Sequence, residues 1–178
     1  TDKENNIEAI DNVLLVNEDD KIFINSGYAS FNDSLRYFTE TPKISFLNKD
    51  DTLNINSEIV FSKKNILISH KDVKIISKNL IGKCDSLSFN QNDSLIKLYG
   101  SPVIWVDGYQ VTSDTIILTY FDNEIKNFYL PNNPFICFKS DTTIFNQIKG
   151  NEMSGTFFQN ILQKISVLSQ GESIYLVK

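Results

Sequence analysis

The sequence predicts an all-β protein, an elongated, solenoid-like stack of antiparallel strands in which each repeat of about thirty residues supplies two strands. Composition is the first observation behind this prediction. The 178 residues include 23 isoleucines and 20 asparagines but only two alanines. Isoleucine favours strands and asparagine favours turns. The hydrophobic share of 41% at this length suits a folded domain that buries a sizeable core.

Period-two alternation of apolar and polar residues is the second observation. It is clearest in Lys43-Ile44-Ser45-Phe46, Leu53-Asn54-Ile55-Asn56 and Leu87-Ser88-Phe89-Asn90, and it places one face of each strand inward and the other in water. Two further segments, 103–106 and 116–118, are apolar on both faces, which indicates covered positions or a partner surface.

A recurring motif is the third observation. Asp33-Ser34-Leu35 precedes Pro42-Lys43-Ile44, and Asp93-Ser94-Leu95 precedes Pro102-Val103-Ile104 at an offset of 60 residues. Asp72 and Pro134 continue the series, which then has positions 42, 72, 102 and 134, about thirty residues apart. A unit of this size cannot bury its own apolar face, so units must stack and share a core. Each proline is expected at the start of a strand, where no ladder donor is needed.

Two regions follow from these patterns. Residues 21–178 form the repeat domain, and residues 1–20 form an N-terminal segment that is either a short helix or a strand entry. Both interpretations stay open because Ile7, Ile10 and Leu14 are spaced as on one helical face. Thr1 to Asn6 has no signal-peptide core, so we expect a processed chain or a fragment of a longer one.

Inward-facing apolar side chains are the candidate binding residues. They either pack on one another or leave a groove for acyl chains, since burial of a methylene is worth about 0.8 kcal/mol in both cases. The candidates are Ile44, Phe46, Leu53, Ile55, Phe61, Ile66, Ile68, Leu87, Phe89, Ile96, Leu98, Ile104, Val106 and Leu118.

Charge is unevenly distributed. The net charge of -5 argues against nucleic acid as a partner, because phosphate backbones require a basic footprint. Residues 63–83 nevertheless hold six lysines and one aspartate. This segment is either a solvated face or a patch for phosphate groups, and for the second case the headgroup candidates are Lys63, Lys64, Lys71 and Lys74.

Motifs for catalysis are scarce, and we expect no enzyme, no metal and no cofactor. His70 is the single histidine, and the seven glycines do not form a phosphate-binding loop. Cys84 and Cys137 lack metal spacing and are not expected to pair with each other. The repeated Asp-Ser and Asp-Thr steps are interpreted as turn caps. A carbohydrate-active solenoid remains an alternative, and it would need two converging carboxylates. No apolar run is long enough for a membrane-spanning helix.

Several motifs together resemble the OstA-like proteins of Bacteroidetes-type bacteria. The likeness covers roughly residues 12 to 177. The motifs are Gly27-Tyr28-Ala29-Ser30-Phe31, Gly82-Lys83-Cys84-Asp85-Ser86-Leu87, Gln110-Val111-Thr112-Ser113-Asp114, Asn146-Gln147-Ile148-Lys149-Gly150, Met153-Ser154-Gly155 and Gly171-Glu172-Ser173-Ile174-Tyr175.

This resemblance implies a V-shaped β-jellyroll trough that holds lipid A acyl chains in the periplasmic lipopolysaccharide-transport bridge. It also implies edge-to-edge joining with similar jellyroll domains of transport or outer-membrane proteins. Unpaired strand edges at both ends suit such joining. The edge candidates are Ile22, Ile24, Ile174 and Leu176.

Two functions are therefore expected from the sequence. The first is a periplasmic lipid-binding bridge protein that shelters lipopolysaccharide acyl chains on the way to the outer membrane. The alternative is a structural β-scaffold in a larger cell-envelope assembly, for which Trp105 between Ile104 and Val106 would provide a contact surface.

Overall fold

Every regular element of the protein's computed structural model, over the residues that it describes, is a β-strand, and every strand pairing is antiparallel, which confirms the all-β prediction. The described residues are 6–18, 21–47, 51–121, 124–140, 144–159 and 161–175. The strands are β1 (Ile7–Asn17), β2 (Ile22–Phe31), β3 (Arg36–Thr39), β4 (Lys43–Leu47), β5 (Thr52–Asn56), β6 (Ile59–Lys63), β7 (Ile66–Ile76), β8 (Leu80–Asn90), β9 (Leu95–Tyr99), β10 (Val103–Val106), β11 (Tyr109–Thr112), β12 (Thr115–Phe121), β13 (Glu124–Leu130), β14 (Phe135–Lys139), β15 (Phe145–Lys149), β16 (Glu152–Phe158), β17 (Ile161–Ser169) and β18 (Glu172–Ile174).

The strands form two ladders, called wall A and wall B below. Wall A contains, in pairing order, the second half of β1, the first half of β2, β4, β5, the second half of β7, the first half of β8, β10, β11, β14, β15 and β18. Wall B contains the other halves of these four long strands together with β3, β6, β9, β12, β13, β16 and β17. The chain thus passes back and forth between the walls.

The margin where the chain crosses between the walls is called the fold line, and the opposite margin, which holds the hairpin turns, is called the mouth. The first four crossings from wall B to wall A use pairs of residues with positive φ, which bend the chain sharply, and the last two use a single such residue, Asn133 or Gln170. These pairs are Asp11-Asn12, Glu40-Thr41, Lys71-Asp72 and Gly100-Ser101. They recur about thirty residues apart, so the chain makes one circuit of both walls in each interval.

Prolines and serines mark the two kinds of crossing. Pro42 and Pro102 each follow a positive-φ pair and directly precede a wall A strand, β4 or β10, which confirms their predicted position. In the other direction, Ser26 and Ser57 are buried beside the fold line. Their hydroxyls donate hydrogen bonds to the carbonyl oxygens of residues 28 and 59, at 3.1 and 3.0 Å. Buried polar groups at these crossings are therefore satisfied.

Two of the repeated aspartates act as turn caps, as predicted. The Asp51 carboxylate accepts hydrogen bonds from the amides of Thr52 at 2.7 Å and Lys78 at 3.0 Å. Asp93 accepts one from the amide of Leu95 at 3.2 Å. These carboxylates organise turns at the mouth.

The N-terminal segment is a strand over the residues that the structure describes. β1 pairs with β2 along both of its halves, with a register shift between Ile10 and Val13. The helical alternative therefore does not apply to Ile7–Asn17. None of the described residues belongs to a helix that is long and apolar enough to cross a bilayer.

Candidate functional site

The facing sides of the two walls enclose one continuous apolar interior. Its buried hydrophobic side chains form a single cluster that extends from β2 to β16. Eleven predicted lining residues point into this interior and are at most 6% exposed: Ile44, Phe46, Leu53, Ile55, Leu87, Phe89, Ile96, Leu98, Ile104, Val106 and Leu118. Their burial fits an apolar lining and equally fits a packed core.

The other three predicted lining residues lie on the outer face of wall B. Ile66 and Ile68 are 42% and 40% exposed, and Phe61 stacks on the outside against Tyr37 at 5.2 Å between ring centroids. The prediction that they face inward is wrong. Each of them is adjacent to another apolar residue, so alternation does not show which residue faces the interior. Val60 and Leu67 take the inner positions instead.

Sequence reasoning also missed many interior residues. The largest of those with almost no exposure are Phe38, Phe128, Ile24, Ile75 and Ile116. Period two was a usable signal for them, since Phe38 is flanked by half-buried Tyr37 and Thr39. The alternation of apolar and polar residues is a weaker signal in the paired strands β13 and β16, because Gly155 of β16 takes an inner position without an apolar side chain.

Aromatic rings connect the two walls near the mouth. Phe46 of wall A contacts Phe89 and Tyr120 of wall B, with ring centroids 5.0 and 5.6 Å apart and near edge-to-face geometry. Phe89 and Tyr120 also contact each other at 6.2 Å. We call these three residues the cross-wall aromatic cluster. Burial raises the pKa of the Tyr120 hydroxyl, and the charge of Asp51 raises it further.

A polar contact joins the walls in the next part of the mouth. Asp107, in the turn between β10 and β11 of wall A, accepts a hydrogen bond from the backbone amide of Leu162 in β17 of wall B. Together with the cross-wall aromatic cluster, this contact closes the mouth at two places. A ligand that enters from the mouth there must first separate these groups.

Polar side chains on the inner side of wall B are grouped in the first part of the stack. Ser62 and Ser69 are 5% and 0% exposed, and the Ser69 hydroxyl has no hydrogen-bond partner among the described residues. An unsatisfied buried hydroxyl costs about 1–3 kcal/mol. Arg36, the only arginine, pairs in register with Ser62 at the mouth, and sequence reasoning did not single it out.

The four lysines predicted to bind headgroups do not lie together. Lys63 ends β6 and Lys64 lies in the hairpin turn to β7, at the mouth of wall B and close to Arg36 in the register. Lys71 lies at the fold line and pairs with Glu58 at 3.6 Å. Lys74 lies on the outer face of wall A and pairs with Asp72 at 2.7 Å. Only the first two are placed at the mouth.

Edge strands exist at both ends of the stack, but not all of the predicted residues belong to them. Ile22 and Ile24 are buried in β2, which pairs with β1 on one side and β4 on the other, so their prediction as edge contacts is wrong. The N-terminal edge is β1, whose partner among the described strands is β2 alone. Ile174 lies on the edge strand β18 and is 56% exposed. Leu176 lies outside the described residues.

An acidic cleft of about 440 Å³ lies at the fold line, outside the apolar interior. Glu40, Glu58 and Asp72 line it, and the last two are ion-paired with lysines. The hydrogen bond and charge of Lys74 lower the pKa of Asp72, which is opposite to what a general acid for glycoside hydrolysis requires. Among the described residues no group of three His, Cys, Asp or Glu side chains has a geometry suited to a metal ion.

Neither cysteine forms a disulfide. Burial raises the pKa of the Cys84 thiol from its ordinary value of 9.0 to about 12. The folded chain therefore holds a proton that the unfolded chain releases, so this thiol contributes stability below about pH 9 that is lost as the pH rises toward 12.

Thiol labelling is expected to separate the two cysteines. A disulfide reagent at mildly alkaline pH should modify Cys137 in the folded protein, because its side chain is only half-buried, and should modify buried Cys84 only after unfolding. Cys137→Ser should therefore abolish labelling of the folded protein, whereas Cys84→Ser should leave it intact. Rapid native labelling of Cys137→Ser would contradict the burial of Cys84.

The fold and its interior define a class of protein: a two-walled antiparallel β-protein whose walls enclose a continuous apolar interior. No protein-family model matches the chain, and no curated protein matches it significantly. A solved structure with a detectable likeness is LptH of Pseudomonas aeruginosa, the LptA-homologous periplasmic component of the lipopolysaccharide transport device. The identity is 8%, the match covers 65% of this chain and 76% of LptH, and the TM-score is 0.36.

Proposed function

We propose that this protein is a periplasmic, non-enzymatic lipid carrier that shelters the acyl chains of lipopolysaccharide or a related glycolipid on the way to the outer membrane. The observation behind the proposal is the single apolar cluster that both walls contribute to along the stack. An acyl chain between the walls would gain about 0.8 kcal/mol per buried methylene. The cross-wall aromatic cluster must separate to admit it.

The charged groups at the mouth of wall B suit the headgroup end of such a lipid. Arg36 lies on β3, Lys63 ends the neighbouring strand β6, and Lys64 lies in the turn from β6 to β7. None of the three has an ion-pair partner within 4.0 Å among the described residues. An anionic headgroup there would place its chains toward the interior.

Edge strands provide the proposed route for partners. β1 at one end and β17 with β18 at the other end have one paired neighbour each among the described strands. Their free backbone groups suit strand addition by similar β-jellyroll domains of transport or outer-membrane proteins.

Site-specific crosslinking tests the lipid proposal. A photoreactive amino acid at Leu98 or Val106, inside the walls, is expected to crosslink lipopolysaccharide in cells, whereas the same residue at Ile68, on the outer face, is not. In binding assays on purified protein, Lys63→Gln with Lys64→Gln should flatten the salt dependence of lipopolysaccharide affinity. Lys71→Gln at the fold line with Lys97→Gln on the outer face of wall B changes the charge equally and serves as the control. Absence of lipid adducts from both interior positions would contradict the proposal.

The second candidate function is a structural β-scaffold in a cell-envelope assembly. The closed mouth favours it, because the ring contacts of Phe46 and the hydrogen bond between Asp107 and Leu162 already join the walls. On this alternative the interior is a permanent core. Native mass spectrometry of protein purified from its own host distinguishes the two, since a scaffold would contain no glycolipid and a carrier would contain one.

A further inference from the structure

The outer face of wall A combines an apolar row with a basic row. In the apolar row, Ile76 lies opposite Ile81, and Ile81 lies opposite Trp105, on three neighbouring strands. Their exposed fractions are 46%, 53% and 38%. With strands about 4.8 Å apart, the three side chains span roughly 10 Å of flat sheet. We call these three residues the outer apolar row.

Lysines occupy the neighbouring row of the same face. Lys74 and Lys83 lie directly opposite each other on β7 and β8, two residues from Ile76 and Ile81 respectively, and Lys43 lies two strands away. Like charges at directly opposed positions destabilise a sheet. Asp72 neutralises Lys74 at 2.7 Å, but no carboxylate lies within 4.0 Å of Lys83 among the described residues. Lys83 therefore has no direct ion-pair partner among the described residues, although the charge of Asp72 also acts on it.

Carboxylates are absent from these rows over most of the wall. Both rows can be followed from strand to strand through the register partners, from β1 to β15. Among the described residues, no outward-facing position in either row is Asp or Glu. Acidic side chains lie instead at the fold line, such as Glu40, Glu58 and Asp72. In a chain with a net charge of -5, this face is thus a local basic surface.

The geometry points to docking of this face on an anionic bilayer surface. Isoleucine and tryptophan side chains enter the headgroup boundary, and the neighbouring lysines reach lipid phosphates, as on interfacial amphipathic elements. The acidic remainder of the chain is repelled by the same surface and so orients wall A toward it. This inference concerns the outside of the wall and does not depend on the proposed lipid cargo inside.

A folded protein partner fits this face less well than a bilayer does. A stable protein interface buries about 800 Å² on each partner, with an apolar centre inside a polar rim. The outer apolar row is one residue wide, and the basic row runs along its side. A fluid lipid surface conforms to a shallow row of this kind, whereas a rigid partner needs matching relief.

Trp105 is a built-in reporter of docking because it is the only tryptophan of the chain. Its indole N–H donates a hydrogen bond to the Gln110 side chain at 3.1 Å while its ring remains partly exposed. Phosphatidylcholine vesicles containing phosphatidylglycerol are expected to shift its emission to the blue, and brominated acyl chains are expected to quench it. Pure phosphatidylcholine vesicles and high salt should give neither effect.

Paired variants test which residues are responsible. Ile76→Ser with Ile81→Ser, and separately Lys74→Gln with Lys83→Gln, are each expected to weaken vesicle partitioning about tenfold or more. Ile68→Ser with Lys97→Gln makes the same kind of change on the outer face of wall B and should leave partitioning unchanged. All the substituted isoleucines are at least 40% exposed, so circular dichroism should show intact folding.

Three outcomes of the vesicle experiments would overturn the inference. They are an unshifted Trp105 emission with anionic vesicles, vesicle binding that the wall B control weakens equally, and binding without quenching by brominated chains. Capture of an acidic protein by this face in the absence of any vesicle binding would also overturn it, because the occupant would then be a protein and not a bilayer.

Discussion

Replacing Phe46 with alanine is expected to lower the free energy of unfolding by about 3–5 kcal/mol. Phe46 is 1% exposed and lies between the walls, where its ring contacts those of Phe89 and Tyr120. The substitution removes buried apolar area, leaves a cavity and breaks two edge-to-face contacts worth about 0.5–1.5 kcal/mol each. Equilibrium unfolding in urea, followed by circular dichroism, measures the change.

A neighbouring phenylalanine provides the control for Phe46. Phe23 lies on the outer face of wall A, one residue after Ile22, which is the register partner of Phe46. Phe23→Ala removes the same atoms from a half-buried outer site and should cost much less. Equal losses for the two variants would show that the ring between the walls has no special role. A double-mutant cycle with Tyr120→Ala isolates the contact between the two rings.

The same substitution provides information about the proposed cargo. Since the cross-wall aromatic cluster blocks entry at this part of the mouth, Phe46→Ala should speed lipid uptake if the protein is a carrier. A scaffold would lose stability without gaining uptake. Fluorescent fatty acid binding, followed in time, distinguishes these outcomes.

Replacing Gly155 with alanine is expected to lower the free energy of unfolding by about 1–3 kcal/mol. Gly155 is buried in β16, and its register partners are Phe128 on β13 and Ile165 on β17. A methyl group added there would overlap the Phe128 ring, which covers the glycine. The ring cannot move freely because it also contacts Phe157 at 5.8 Å between centroids. Thermal and urea unfolding both measure the loss.

Two further variants test the cause. Phe128→Leu in the Gly155→Ala background should recover part of the lost stability, because the shorter side chain leaves room for the methyl group. Gly82→Ala is the matched control in another inner strand position. Its methyl group would meet Ile104 and Ile75 at 3.3 Å, a tight contact but not an overlap, so a smaller effect is expected. A Gly155→Ala protein as stable as the wild type would refute the close packing of this ring.

Much of the fold could be predicted because alternation is clear where polar and apolar residues take turns. Leu53 and Ile55 are separated by asparagine, and Leu87 and Phe89 by serine, so their inward faces followed directly. Between Ile66 and Ile68 the sequence has no polar residue that shows which positions face outward, and the residue that faces inward is Leu67. The hydroxyl of Ser69 faces inward despite its polarity, which no alternation rule anticipates.

β1 was ambiguous for a specific reason. Ala9 faces inward before the register shift and Val13 faces inward after it, so Ile10 and Leu14 both face outward. Their spacing imitates a helical face although the chain is extended. The candidate site was harder still. The contact between Phe46 and Tyr120 depends on how two distant ladders lie against each other, and local sequence patterns contain no information about that.

The positive-φ pairs at the fold line have a consequence for how such a chain can change in length. Because the first four returns to wall A use the same kind of bend, a duplication or loss bounded by two of these bends, for example Glu40-Thr41 and Gly100-Ser101, rejoins equivalent backbone and leaves the cross-section as it was. Genes for proteins of this design can therefore grow or shrink by whole circuits, and the length of the apolar interior becomes a heritable variable independent of its width.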